Sequence, residues 1–209
     1  MAKSGPPAPG QNITGKVPMN VSIILGHPNP GSFNHAIAAA ARDQLQRKGH
    51  TVAYHDLYRE GFDPILPGTE IPTHAELPET IKHHCDEIAT ADGIIIVHPD
   101  WWGQPPAILK GWVDRVMRAG VAYGFEEGES IEGIPHGFLR AQAALVFNTA
   151  DTPEDLEMEQ FGDPLETLWK NCIFAFCGVH TFYGRMFSVV LTSTPELRER
   201  WLGEAKSAV

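Results

Sequence analysis

Five short aliphatic runs, each followed by residues at helical spacing, predict alternating β-strands and α-helices along the chain. The third run, Ile94 to Val97, has four consecutive aliphatic residues, which is typical of a strand buried on both faces of a sheet. The predicted strands cover residues 20–25, 51–57, 92–98, 141–148 and 179–187. This alternation favours an open, doubly wound parallel α/β sheet with helices on both faces, and the common order for five strands is 2-1-3-4-5.

Helix boundaries are predicted from apolar spacing and from capping residues. Ser32 is placed to cap the first helix, whose apolar residues recur every four positions: Phe33, Ile37, Ala41 and Leu45. Comparable patterns predict helices at residues 77–89, 106–118 and 164–176, and a final helix from residue 195 onward. Residues 58–78 are predicted to be irregular, residues 120–137 to form a glycine-rich loop and residues 149–162 to form another long connection.

The composition describes a globular α/β domain. The chain has 209 residues, of which 43% are hydrophobic and 20% are charged. A net charge of -10 argues against nonspecific binding to nucleic acid or to an anionic membrane surface. Apolar runs of about 18 residues, the length that a membrane span needs, are lacking, so integral membrane association is not expected.

Residues 1–18 hold four prolines and three glycines without apolar periodicity. They are predicted to be a disordered leader or a start-site extension, and residues 19–209 to be the folded domain. The spacing of Cys85, Cys172 and Cys177 suggests no disulfide framework, which fits a reducing cytoplasm.

The predicted strand order places a ligand crevice at the carboxyl edge of the sheet. The loops after the first and third strands, residues 26–34 and 98–105, lie side by side there, and residues 148–153 form a third wall. The first loop leads into a helix N-terminus, which attracts anions, with Ser32 and Asn34 as further donors and His27 as a possible cation.

The second loop carries two adjacent tryptophans, Trp101 and Trp102, which either cap the core or stack against a flat ligand. A phosphate at one end and a flat ring at the other describe a flavin nucleotide. The chain lacks GxxxxGK[ST] and GxGxxG, so an ATPase phosphate loop and a dinucleotide-binding Rossmann site are not supported. The segment Gly26-His27-Pro28 lacks the acidic cluster of a receiver domain.

Several motifs resemble one family. They are Gly26-His27-Pro28 with Gly31-Ser32-Phe33-Asn34, Asp56-Leu57-Tyr58, Phe62-Asp63-Pro64, Pro99-Asp100-Trp101-Trp102, and Pro106 to Trp112 (PAILKGW). Over residues 19–202 the chain resembles the flavodoxin-like NAD(P)H:quinone oxidoreductases. That family includes the mammalian quinone reductases, bacterial modulators of drug activity and ancillary flavoproteins of potassium efflux systems.

The resemblance implies roles for individual residues. Those implied to hold the flavin phosphate region are His27, Ser32, Phe33 and Asn34. Those implied to lie along the isoalloxazine are Pro99, Asp100, Trp101 and Trp102, and those against its pyrimidine side are Asn148, Thr149, Ala150 and Asp151. Tyr123 and Phe125 match aromatics of a substrate pocket that the family completes across a homodimer interface.

One departure concerns a Tyr and a His that the mammalian enzymes use to assist charge transfer to the reduced flavin. Their positions here correspond to Asp155 and Phe161, so that relay is expected to be absent and Phe161 to line the substrate pocket. The chain has no long extension after the last helix to cover an adenosine, which favours FMN over FAD.

The leading hypothesis is a cytoplasmic FMN-dependent NAD(P)H oxidoreductase that reduces quinones or similar aromatic acceptors by two-electron, ping-pong hydride transfer. One alternative is a regulatory flavoprotein subunit of a potassium efflux system or another membrane transporter. Another is a flavodoxin-like one-electron carrier.

Other residues are assigned structural roles. Trp112 and Trp169 are predicted to lie in the core, and Cys172 and Cys177 to be inert. The triplet His83-His84-Cys85 suggests a metal site, but adjacent helix residues point in different directions, so no metal is predicted. The acidic run Glu126, Glu127, Glu129 and Glu132 is expected to be a solvated loop or a lid.

Overall fold

A five-stranded parallel sheet forms the centre of the computed structural model, which describes residues 17–125 and 136–209. The strands are β1 (Asn20–Leu25), β2 (Thr51–Asp56), β3 (Gly93–Pro99), β4 (Tyr123–Gly124), β5 (His136–Gly137), β6 (Ala143–Ala150) and β7 (Phe182–Ser188). The order in the sheet is β2-β1-β3-β6-β7, while β4 and β5 form a separate antiparallel hairpin. The five sheet strands therefore lie in the predicted order, and the hairpin is an addition that the sequence pattern did not indicate.

Helices pack on both faces of this sheet. They are α1 (Phe33–Arg47), α2 (Glu79–Thr90), α3 (Ala107–Val116), α4 (Glu154–Phe161), α5 (Pro164–Glu166), which continues as a π-helix (Thr167–Ala175), and α6 (Pro195–Ala208). β3 shows how the two faces are separated. Ile94 and Ile96 pack with α2 and α3, whereas Ile95 and Val97 pack with α1 and α6, and all four are buried. The aliphatic run is thus buried on both faces, as predicted.

Residues 149–162, predicted to be a long connection, contain α4, which the sequence pattern did not indicate. The apolar residues of this helix, Leu156, Met158 and Phe161, are all exposed, so no buried stripe marks it in the sequence. Gly162 ends the helix with φ at 67°, a left-handed conformation that suits glycine.

The connection from β2 to α2, predicted to be irregular, is clamped to α3. Arg115 pairs with Glu70 through two hydrogen bonds, Nε to Oε2 at 3.0 Å and Nη2 to Oε1 at 2.6 Å, and both side chains are about 95% buried. Its Nη1 also donates to the carbonyl of Asp63 at 2.6 Å. Gly111, one turn earlier, leaves room for Pro64 to lie directly against the helix.

Trp112, Trp169 and Cys177 are buried as predicted, whereas Cys172, also predicted to be packed and inert, is exposed. Trp112 and Trp169 are 2% and 1% exposed. All three cysteines are unpaired. Burial raises the pKa of Cys177 to about 11, so its thiol stays protonated and unreactive at neutral pH.

The predicted leader up to residue 16 and the acidic run from Glu126 to Glu132 lie outside the described residues. Within the described part of the chain, the helices are too short or too polar to cross a membrane.

Candidate functional site

A cavity of about 540 Å³ opens at the carboxyl ends of β1, β3 and β6. Ten of the predicted site residues line it: His27, Ser32, Phe33, Asn34, Pro99, Asp100, Trp101, Thr149, Ala150 and Asp151. Two hydrogen bonds hold its walls together. Asn34 Nδ2 donates to Thr149 Oγ1 at 2.8 Å, and the Asp100 N–H donates to the Thr149 carbonyl at 2.7 Å. Three loops that are distant in sequence therefore form one crevice.

The first wall of this cavity is the N-terminus of α1. Ser32 caps the helix, and its Oγ accepts from the His35 N–H at 3.4 Å. The His35 N–H also donates to the Ser32 carbonyl at 3.1 Å. The other N–H groups at the start of a helix have no partner within it, and together with the helix dipole they attract an anion. His35 in turn joins Ser32 Oγ, at 2.8 Å, to Asp56, at 3.0 Å.

His27 contributes a neutral ring rather than the cation that the sequence suggested. Burial and the charge of His35 lower the pKa of His27, so the ring is uncharged at neutral pH. Its Nδ1 accepts from the Asn29 N–H at 3.0 Å, which leaves the proton on Nε2. His27 therefore offers the site one hydrogen-bond donor.

The positive charge of the cavity comes from Arg198, which sequence reasoning missed. Of the residues that line the cavity, Arg198 is the only lysine or arginine. It is held in place by bonds from Nε to Ser193 Oγ at 2.7 Å and from Nη2 to the Val190 carbonyl at 2.9 Å. The Thr194-Pro195 signal located the start of α6, but it could not show which face of that helix meets the crevice.

A second cavity, of about 590 Å³, adjoins the first and shares Asp100, Ala150, Asp151 and Thr152 with it. Trp102 and Phe161 supply its aromatic surface. Together the two cavities offer an anion-binding end and an aromatic end.

The aromatic end is built on a tight turn. Trp101 and Gln104 exchange backbone hydrogen bonds at 3.0 and 3.2 Å, and the two central residues, Trp102 and Gly103, have φ of 62° and 67°. A left-handed conformation costs a non-glycine residue roughly 1–2 kcal/mol. The Trp102 side chain is fully exposed, so its own packing does not offset that strain.

Three buried polar atoms give the most direct sign of a ligand. Within residues 17–125 and 136–209, the buried side-chain atoms without a hydrogen-bond partner are Asn34 Oδ1, Asp100 Oδ1 and Asn148 Nδ2. Asn34 and Asp100 line the first cavity, and Asn148 lines a smaller one of about 180 Å³, which shares Glu157 with the second cavity. An unpaired buried polar atom costs about 1–3 kcal/mol, so their gathering at one edge of the sheet indicates that a polar ligand completes them.

The aromatic end also carries negative charge. The pKa of Asp100 is raised, mainly by burial and also by the negative charge of Asp163. Hydrogen bonds from the N–H groups of Gly103 and Gln104 lower this pKa but do not cancel the rise. Burial and the charges of Asp100 and Asp163 likewise raise the pKa of Glu157. The three carboxyl groups therefore repel one another at the edge of the second cavity.

Some predicted residues lie elsewhere. Tyr123 packs against Phe176, with ring centroids 4.9 Å apart, and Phe125 is exposed next to residues 126–135. Neither lines the two cavities within this chain. Asp155, the other position of the expected relay, is exposed on α4.

Comparison with known proteins gives consistent results. The family described as having a flavodoxin-like fold matches residues 19–205. An uncharacterized NAD(P)H oxidoreductase of Haemophilus influenzae is 37% identical over 174 residues, which span 81% of this chain and 83% of that protein. NAD(P)H dehydrogenase [quinone] 1 of Cavia porcellus is 36% identical over 198 residues, which span 84% of this chain and 70% of the relative.

Solved structures agree with these matches. The NAD(P)H:quinone oxidoreductase of Methanothermobacter marburgensis superimposes with a TM-score of 0.79 at 28% identity, covering 91% of this chain and 97% of the other. An FMN-dependent NADH-azoreductase of Bacillus anthracis reaches a TM-score of 0.71 at 16% identity over 90% of this chain and 97% of the other, a likeness of fold alone.

Proposed function

The chain belongs to the flavodoxin-like fold family and is an enzyme of the NAD(P)H:quinone oxidoreductase type, and we propose that it uses FMN to reduce quinones or similar aromatic acceptors by two electrons. The observation that carries the proposal is the set of three unpaired buried polar atoms at the carboxyl edge of the sheet. Asp100 lines both the anion-binding cavity and the aromatic one, Asn34 lines the first and Asn148 lines the smaller cavity, and an anion-binding end beside an aromatic end matches a phosphate ester with a flat polar ring.

The described residues fit this cofactor. The first turn of α1, Ser32 and Arg198 would hold the phosphate, and Trp101 with Trp102 would lie along the ring. Asn148 and Thr149 to Asp151 would meet its pyrimidine side. FMN held there would supply two-electron hydride chemistry between NAD(P)H and an acceptor that follows the nicotinamide into the same pocket.

The protein's contribution is the orientation of its ligands. The donors of the α1 turn and of the loop after β6 are fixed by backbone structure, so they need little reorganisation when negative charge develops on a ligand. Trp102 and Phe161 offer flat apolar surfaces against which either substrate can stack. One pocket that serves both substrates in turn accounts for a ping-pong cycle.

The test starts from purified full-length protein. We expect a yellow protein whose released flavin has the mass of FMN, and menadione-dependent oxidation of NADH or NADPH with parallel double-reciprocal plots. A colourless protein that neither binds added FMN nor oxidises NAD(P)H with menadione would refute the proposal.

We further propose that a second copy of the chain completes the substrate pocket. Trp102 and Phe161 line the second cavity yet are 101% and 66% exposed, and Leu156 and Met158 extend this apolar surface along α4. Tyr123 and Phe125 would then reach the pocket of the partner. Light scattering during size-exclusion chromatography should give twice the 23.0 kDa chain mass, and a monomer at micromolar concentration would contradict the proposal.

Replacing Arg198 with methionine is expected to weaken FMN binding by about 10- to 100-fold, because hydrogen bonds to a charged group are worth about 1.5–3 kcal/mol. Fluorescence titration of flavin-free protein measures the effect. Riboflavin lacks the phosphate, so its affinity should change little. Arg200→Met, an exposed change on the same helix, is the matched control. An equal loss for riboflavin would show that Arg198 acts through the fold instead.

Replacing Asp100 with asparagine is expected to raise the midpoint potential of bound flavin by on the order of 30 mV, about 1.4 kcal/mol for a two-electron couple. A nearby carboxylate disfavours the negative charge of reduced flavin. Because the pKa of Asp100 is raised, the difference should vanish in acid, where the wild-type carboxyl is protonated, and grow as the pH rises through that pKa. Spectroelectrochemistry checks this, with Asp114→Asn as a surface control; a lower potential in Asp100→Asn would contradict it.

A further inference from the structure

A second group of chemically active side chains lies away from the cofactor cavities, at the end of β2 and on α2. It consists of His55, Glu60, His83, His84 and Glu87. All except Glu87 line a cavity of about 440 Å³, which shares no lining residue with either cofactor cavity. Nothing in the proposed reaction uses these residues.

His55 is the centre of the group. Its Nδ1 lies 3.0 Å from Glu60 Oε1, and its Nε2 forms a short hydrogen bond with Glu87 Oε2. The other oxygen of Glu87 lies 3.4 Å from His83 Nε2, one helical turn earlier on α2. One carboxylate is therefore placed between two imidazole nitrogens from different elements.

His84 has a different role, although its donor atom lies within 4.8 Å of those of His55 and Glu87. Its Nδ1 accepts from Trp112 Nε1–H at 3.2 Å, so a neutral His84 carries its proton on Nε2. That proton points toward Glu60 Oε2, which lies 3.5 Å from His84 Nε2. A metal on Nε2 would force that proton to move to Nδ1, which already accepts from Trp112, so His84 is placed to orient Glu60 and not to act as a ligand.

We propose that His55 Nε2, His83 Nε2 and the carboxylate of Glu87 bind a divalent transition-metal ion of the zinc class. Two imidazoles and one carboxylate form a known zinc ligand set that leaves a fourth position for water. The i, i+4 spacing of His83 and Glu87 puts both ligands on one face of α2, and His55 approaches from the end of β2.

The surroundings meet the requirements of such a site. Both nitrogens of His55 face carboxylate oxygens, so the metal would replace the proton on Nε2 while the Nδ1 proton stays hydrogen-bonded to Glu60. This carboxylate–histidine–metal arrangement fixes the ring and its tautomer. His55 is 8% exposed, whereas His83 is on the surface, where its ring can turn toward the ion. With neutral imidazoles, Glu60 and Glu87 give a charge of -2, which a divalent cation neutralises.

The site is tested by calorimetric titration of metal-stripped full-length protein with Zn²⁺, with metal analysis after dialysis. We expect one tightly held Zn²⁺ per chain and a higher melting temperature. His83→Ala and Glu87→Gln should each weaken binding by at least about 100-fold, and Glu60→Gln by about 10- to 100-fold because it orients His55 only indirectly. His74→Ala and Glu79→Gln, exposed changes outside the group, are the matched controls.

Binding that survives both His83→Ala and Glu87→Gln, or that falls equally in the controls, would overturn the proposal. So would a stoichiometry well below one. Circular dichroism of each variant without metal confirms that it is folded, and bound Co²⁺ should give a visible spectrum of nitrogen and oxygen ligation that Glu87→Gln abolishes. Because no step depends on flavin, the result stands or falls separately from the proposed reaction.

Discussion

Replacing Arg115 with methionine is expected to lower the free energy of unfolding by about 3–5 kcal/mol. The reason is that the substitution leaves the buried carboxylate of Glu70 without its partner. Glu70 is 4% exposed, and Arg115 supplies its two hydrogen bonds and its counter-charge. Without the guanidinium, a buried charge lacks a partner and the connection between β2 and α2 loses its anchor on α3.

Urea denaturation measures this effect, and two comparisons isolate its cause. The double replacement Arg115→Met with Glu70→Met should recover most of the loss, because it removes the unpaired charge as well. Lys110→Met breaks an exposed pair with Asp114 on the same helix, Nζ to Oδ1 at 2.5 Å, and should cost no more than about 0.5 kcal/mol. Equal losses for Arg115→Met and Lys110→Met would show that burial of the pair is not decisive.

Replacing Gly111 with alanine is expected to destabilise the fold by about 3 kcal/mol or more, through overpacking. A Cβ at this position would lie 2.2 Å from the Pro64 carbonyl oxygen and 2.5 Å from its Cα. These are backbone atoms that cannot rotate away, so α3 and the connection must move apart. The better helix propensity of alanine, about 1 kcal/mol, is too small to compensate.

The matched control for Gly111→Ala is the same change at Gly203. That residue is also helical, but no heavy atom lies within 4 Å of where its Cβ would stand. Gly203→Ala should therefore stabilise the protein by about 0.5–1 kcal/mol. A lower melting temperature for Gly111→Ala and a higher one for Gly203→Ala would show that the close contact with Pro64 requires the glycine of the PAILKGW segment. An unchanged melting temperature for Gly111→Ala would contradict this.

The sequence was sufficient where local rules determine the structure. The aliphatic run of β3, the Ser32 cap and the Thr194-Pro195 start of α6 are each set by a few neighbouring residues, and the structure has all three. The strand order followed from the alternation of elements, and it brought the loops around Ser32 and Trp101 into one crevice.

Features that depend on contacts between distant residues could not be predicted. Arg198 enters the crevice through the rotation of α6, and the clamp joins Glu70 to Arg115 across 45 positions. Neither has a local signature. His83 is exposed and His84 is buried, as expected for adjacent residues of a helix, but the partner of His83 stands four residues later, at Glu87.

The turn at Trp102 gives the protein an optical reporter of its own binding site. Of its five tryptophans, Trp112, Trp169 and Trp201 are buried, Trp101 is 43% exposed and Trp102 is entirely in water. An indole in water emits at longer wavelength and is quenched by soluble collisional quenchers, while buried indoles are shielded. Long-wavelength, quencher-accessible emission therefore comes mainly from the aromatic end of the crevice, and its loss would report the arrival of a ligand or a second chain without any label.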